Sequence, residues 1–271
     1  MAKSDNVDEI HICSDKIIDS LVSLTKKLGL TNVLEIWTLF KSMASFGCFS
    51  YDSKVNHFIS QNDLQKVDEC LNEALYINGH GVCRHDAQFL QKFFSKLGYS
   101  SGISVGWMYD EASDYLISLL SNIKTHDEIS AQEYIKNDYL KSIARKTDTH
   151  TEEQSIKYGN HMLTVVNNGK QTFYLDPANR VIYYSFTNGI LKSNNNSLYI
   201  PNEKSTDYWS SYYGIENIPK LKTFYPSRKV DILRLEYEYY KYKTTFSSFH
   251  EENKETLMQA EKSLKLLQNN L

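Results

Sequence analysis

Apolar residues recur at helical spacing along the N-terminal part of the chain. Ile10, Cys13, Ile17, Leu21, Leu24 and Leu28 share one side of a helix over 10–28, and Gly29 follows as a stop signal. Residues 1–9 are polar and read as a loose tail. Thr31 is placed to cap a second helix, in which Val33, Leu34, Ile36, Trp37, Leu39, Phe40, Met43 and Ala44 spread over more than one face and imply burial. Gly47 and the residues after it mark a turn, and Leu64, Val67, Leu71 and Leu75 predict a helix over 62–76. Ala87, Leu90, Phe94 and Leu97 set one more helical stripe, closed by Gly98. Cys83 extends that stripe into the helix's first turn, just after the glycine-rich Gly79-His80-Gly81.

The periodicity then changes to two. Ile103, Val105 and Trp107 alternate within Ser101–Met108 in the manner of a strand. Residues 109–157 are polar and mostly helical in pattern, with a flexible loop over 146–155, and read as an insertion between strands. Strands resume over 160–166, turn at Asn167-Asn168-Gly169, return over 171–176 to end at Pro177, and continue over 181–186. Residues 193–197 read as a loop and 202–228 as irregular. The chain from about 230 to 271 is amphipathic and helical, with Tyr237, Tyr239, Tyr240 and Tyr242 around it. These patterns predict an α+β fold. A helical N-terminal part, with the Cys83 helix packed on an antiparallel sheet, forms one domain over 1–271 with a core about 30–200, a helical insertion and a helical tail.

Composition narrows the function. The net charge is -3 and no basic block occurs, which argues against a nucleic-acid binder. The four cysteines, Cys13, Cys48, Cys70 and Cys83, have no C-x-x-C spacing, so they suggest neither a metal site nor a redox pair, and no cofactor is expected. Free thiols fit a reducing compartment. The polar N-terminus carries no signal-peptide pattern, and no apolar run approaches the roughly 20 residues of a membrane span. A cytoplasmic location is the expectation. The tyrosine-rich C-terminal helix is a candidate partner surface.

The chemistry centres on Cys83. The first turn of a helix stabilises an anion by roughly 0.3–1 kcal/mol, too little to ionise a thiol of pKa about 8.5 at neutral pH. A catalytic thiolate therefore needs a histidine, and the histidine needs an orienting partner. His161 begins one strand of the hairpin and Asp176 ends the other. Residues equidistant from a turn at Asn168-Gly169 meet across the ladder, so the two are expected opposite one another or nearly so. His80 and His85 compete by proximity in sequence. His85, two positions after Cys83, points to another helix face. The oxyanion donors expected are the Cys83 N–H, with Tyr76, Asn78 and His80 as contributors from the preceding loop.

With these residues in place, Gly81-Val82-Cys83-Arg84-His85-Asp86-Ala87, Asn160-His161 and Tyr174-Leu175-Asp176-Pro177 resemble the transglutaminase-like superfamily. That superfamily includes papain-like cysteine hydrolases, peptide N-glycanases and transglutaminases. The resemblance covers roughly 71–184, apart from the insertion. It implies Cys83 as nucleophile, His161 as base and Asp176 as orienter of a thioester-forming enzyme acting on a peptide or amide. Two departures stand out: Leu163 occupies a position that is often aromatic, and the Cys-to-His separation is long. Hydrolysis, as by a protease, amidase or deamidase, is the expectation. Transfer to an amine and a non-catalytic binding module are the alternatives.

Overall fold

A computed structural model describes residues 2–45, 82–109, 159–187, 189–193 and 195–218, and scattered positions from 221 to 262. The predicted helix over 62–76, the 109–157 insertion beyond Tyr109, and most of the tyrosine-rich tail, including Tyr237, Tyr239 and Tyr240, lie outside these residues. The chain divides into two compact units, Met1–Ser100 with Pro226–Leu271, and Ser101–Tyr225.

The described residues of the first unit form helices. Helix α1, Ala2–Lys27, begins well before the expected start, so residues 2–9 are helix and not a loose tail. Its Ile17, Ile18, Leu21 and Val22 are buried. Gly29 ends it with φ 67°, a left-handed conformation that glycine adopts without a Cβ penalty. Helix α2, Val33–Ser45, is capped by Asn32 and not by Thr31: the Glu35 N–H donates to Asn32 Oδ1, and the Thr31 N–H donates to the Glu35 carboxylate. Val33, Ile36, Trp37, Leu39, Phe40 and Met43 are all buried, as the spread of apolar positions predicts. Helix α3, Cys83–Lys96, starts at the cysteine itself. It packs beside α1, where Lys92 pairs with Asp15 at 2.9 Å and Lys96 with Asp19 at 2.7 Å. These pairs are solvent-exposed and contribute at most about 1 kcal/mol each. The buried Ala87, Phe89, Leu90, Phe93 and Phe94 hold the helix in place.

The second unit corrects the expected sheet. Six strands, β1 (Ser100–Tyr109), β2 (His161–Asn167), β3 (Thr172–Asp176), β4 (Val181–Thr187), β5 (Ile190–Ser193) and β6 (Leu198–Pro201), form a closed antiparallel barrel. An open sheet with a helix on one face is therefore not the architecture. β5 and β6 arise from stretches without a strand assignment in the pattern reading. Their pairing with β4 and with β1 closes the barrel, Met108 lying opposite Tyr199. Closure leaves no free sheet edge. The interior holds Met108, Leu163, Val181, Tyr183, Leu191 and Tyr199. Two buried hydroxyls find partners there, Tyr183 with Ser197 and Tyr199 with Ser104, each at 3.0 Å. A helix also forms within the stretch read as irregular: α4, Glu203–Tyr213, capped by Asn202 and stopped by Gly214 at φ 64°.

Two glycines let neighbouring chain approach β1 closely, Gly106 admitting β6 and Gly159 the start of β2. A Cβ on Gly106 would lie 2.2 Å from the Ile200 carbonyl oxygen, and one on Gly159 would lie 2.4 Å from the Gly106 oxygen. Gly159 also has φ +94°. This close approach lets the Asn160 N–H donate to Gly106 O at 2.9 Å, immediately before His161.

Candidate active site

In the barrel unit the structure brings together two of the three expected site residues. The His161 Nε2–H donates to Asp176 Oδ2 at 2.8 Å. A carboxylate only accepts, so this bond fixes the proton of the neutral ring on Nε2. His161 is 6% exposed and Asp176 0%, so water competes little for the bond. In the neutral ring Nδ1 is then the nitrogen without the proton.

The register that produces this pair differs from the expected one. Thr164 lies opposite Leu175 and Val165 opposite Tyr174, so the hairpin is centred after Gly169. In that register Leu163 faces Asp176, and His161 is the diagonal neighbour two residues further along the strand. The displacement is an even number of residues, which keeps both side chains on one face. Asn168 causes the shift: its Oδ1 accepts from the N–H groups of Lys170 and Gln171, making the turn longer than a two-residue one.

Two asparagines complete the setting. Asn160 donates from Nδ2 to Met108 O and accepts at Oδ1 from the Met108 N–H at 2.8 Å, so its amide stands in for a strand residue and pins the start of β2 to β1. Asn179 lies in the turn after Asp176. Its N–H donates to Asp176 Oδ1 at 3.0 Å, and its Nδ2 donates to Asp176 Oδ2 at 2.9 Å. The Asp176 carboxylate thus accepts three hydrogen bonds, and the buried acid is satisfied on both oxygens. Tyr199 lies in the same interior; burial raises its hydroxyl pKa well above the usual value of 10.0, and the charge of Asp176 adds to that rise. The sequence reading assigned no role to Asn179. The signal was present as an Asp followed by Pro and, three positions on, by Asn, a pattern that favours an aspartate-centred turn.

In the helical unit Cys83 is half-buried, a thiol outside any disulfide, at the first position of α3. His85 is fully buried, and its Nδ1 accepts from the Val82 N–H at 3.1 Å. It thereby caps the helix from the third position, as glutamate or glutamine commonly does. A ring nitrogen committed to a cap is not available as a general base. His80, Asn78 and Tyr76, the expected oxyanion contributors, lie outside the described residues. Among the described residues no three of His, Cys, Asp and Glu gather in a group able to hold a metal ion. Among them, too, no helix is long and apolar enough to cross a membrane.

No protein-family model, curated protein or solved structure matches the chain.

Proposed function

We propose that the protein is a cysteine-dependent enzyme of the transglutaminase-like kind, which cleaves a peptide or amide through a thioester. The observation that carries the reading is the buried 2.8 Å hydrogen bond between His161 Nε2 and Asp176 Oδ2. A histidine locked in one tautomer by a carboxylate is a costly arrangement to bury, and it is the arrangement that general base catalysis uses. The thiol at the first position of a helix is the nucleophile that such a base serves.

In this scheme His161 Nδ1 accepts the Cys83 proton, and the thiolate attacks the carboxamide carbon. The tetrahedral intermediate places its oxyanion toward the N–H groups at the start of α3. The C–N bond breaks as Nδ1 returns the proton to the leaving amine. Water then attacks the thioester, giving its proton to Nδ1, and Cys83 leaves as the acid forms. Asp176 keeps the Nε2 proton in place throughout and is not itself protonated. The proposal extends to a protein or peptide substrate and a cytoplasmic location, where a thiol stays reduced.

Incubation with an activated acyl p-nitrophenyl ester tests this. Intact mass spectrometry should detect an acyl group on the parent protein, mapped to Cys83, that turns over in water. Cys83→Ser should abolish the adduct, and His161→Ala should slow its formation by about 10²-fold or more. Equal acylation of all three proteins overturns the reading.

A further inference from the structure

The carboxylate that orients His161 is itself held by the turn that follows it. Among the described residues, Asp176 has two hydrogen-bonding partners, His161 and Asn179. Asn179 supplies two of the three bonds, and its Nδ2 donates to the same oxygen, Oδ2, that accepts from His161. The second hydrogen of that amide points to the Met108 sulfur at 3.0 Å. Met108 is buried, and its backbone is bound by Asn160, the residue before His161. An otherwise exposed asparagine is thus fixed at both of its amide hydrogens.

This arrangement has two consequences. It fixes the plane of the carboxylate, so that Oδ2 faces the imidazole. It also divides the negative charge of Oδ2 between two donors, which limits how strongly Asp176 retains a proton on His161. An uncompensated carboxylate against a buried imidazole would favour the imidazolium strongly, and a base must give its proton up again to the leaving group. We propose that Asn179 is a positioning residue that sets both the orientation of Asp176 and the proton affinity of His161. The inference rests on the catalytic reading of the His161–Asp176 pair. Among the described residues, the Asn179 amide from the turn bonds Asp176, and the Tyr199 hydroxyl from β6 lies within the reach of its charge, as it does of Tyr174 and Tyr183.

The test is a ¹⁵N NMR titration of the histidine side chains in the parent, Asn179→Ala and Asn179→Asp, with His161 assigned by its loss in His161→Gln. Asn179 is exposed, and its backbone N–H bond to Asp176 Oδ1 survives both substitutions, so Asn179→Ala should melt near the parent, and Asn179→Asp, which sets two carboxylates together, somewhat below it. The His161 midpoint should rise by about half a pH unit in Asn179→Ala, where a donor is lost. It should rise by about one unit in Asn179→Asp, where a second carboxylate is added. A side chain that merely fills the turn would leave the midpoint unchanged, and equal midpoints in all three proteins overturn the inference. Alkylation of Cys83 in the parent and in His161→Ala reads the underlying assumption separately. Reactivity indifferent to His161 rejects the catalytic reading, whatever the titration gives.

Discussion

Asp176 has no exposed surface and accepts from three donors, so its removal is felt twice. Asp176→Ala strands the His161 donor in a buried setting, which costs about 1–3 kcal/mol, and returns the exposed Asn179 donors to water. Chemical denaturation should register that loss. Neutral His161 should also lose its preference for the Nε2–H tautomer, visible in its ¹⁵N shifts. Retained stability and an unchanged tautomer would contradict the geometry. The pairing of His161 with Asp176 was legible in the sequence, because a hairpin joins residues on either side of its turn. The role of Asn179 was not, because it depends on a turn whose length is set by local side-chain hydrogen bonds and not by the strand pattern. The cap on α2 failed for the same reason: Thr31 and Asn32 are both good capping residues, and the reach of Glu35 decides between them.

The elements show where pattern reading succeeds. β1 to β4 appear close to where the alternation puts them, since each buries apolar residues against a core. β5 and β6 are four residues each, too short for alternation to register, although Gly189 and Asn195-Asn196 bracket them with turn residues. α4 had its own start and stop signals in Asn202 and Gly214, masked by an aromatic-rich sequence without a clean apolar stripe. The glycines differ in the same contextual way. Gly106→Ala drives a Cβ into the Ile200 carbonyl, and Gly159→Ala adds a left-handed backbone to a clash with Gly106. Each should cost roughly 2–4 kcal/mol by denaturant unfolding. Gly169, at φ +84° with open space around it, should cost only about 1–2 kcal/mol on the same substitution. Equal losses at all three would contradict the close approach of β1 to β6 and of Gly159 to β1.

Barrel closure belongs to the whole molecule. It depends on pairing between β1 and β6, distant in sequence, and each strand's pattern is the same in an open sheet. Two buried tyrosines, Tyr199 inside the barrel and Tyr109 on the other face of β1, give the fold a pH signature. Burial raises the hydroxyl pKa of Tyr109 and Tyr199 above the usual value of 10.0. Above about pH 10 the unfolded chain releases these protons while the folded chain keeps them. The folded state then binds more protons, and stability falls as pH rises, by about 1.4 kcal/mol per pH unit for each tyrosine. Below about pH 10 both states are protonated and this contribution is constant. Tyrosinate absorbance should therefore show these two groups ionising only as the protein unfolds.

In the proposed function His161, oriented by Asp176, activates the Cys83 thiol. The most direct measurement is the rate of Cys83 alkylation by iodoacetamide against pH, in the parent and in His161→Ala. Fast labelling is expected to persist below about pH 7 in the parent and to be lost in the variant. A profile rising with an ordinary thiol pKa of about 8.5 in both proteins would contradict it.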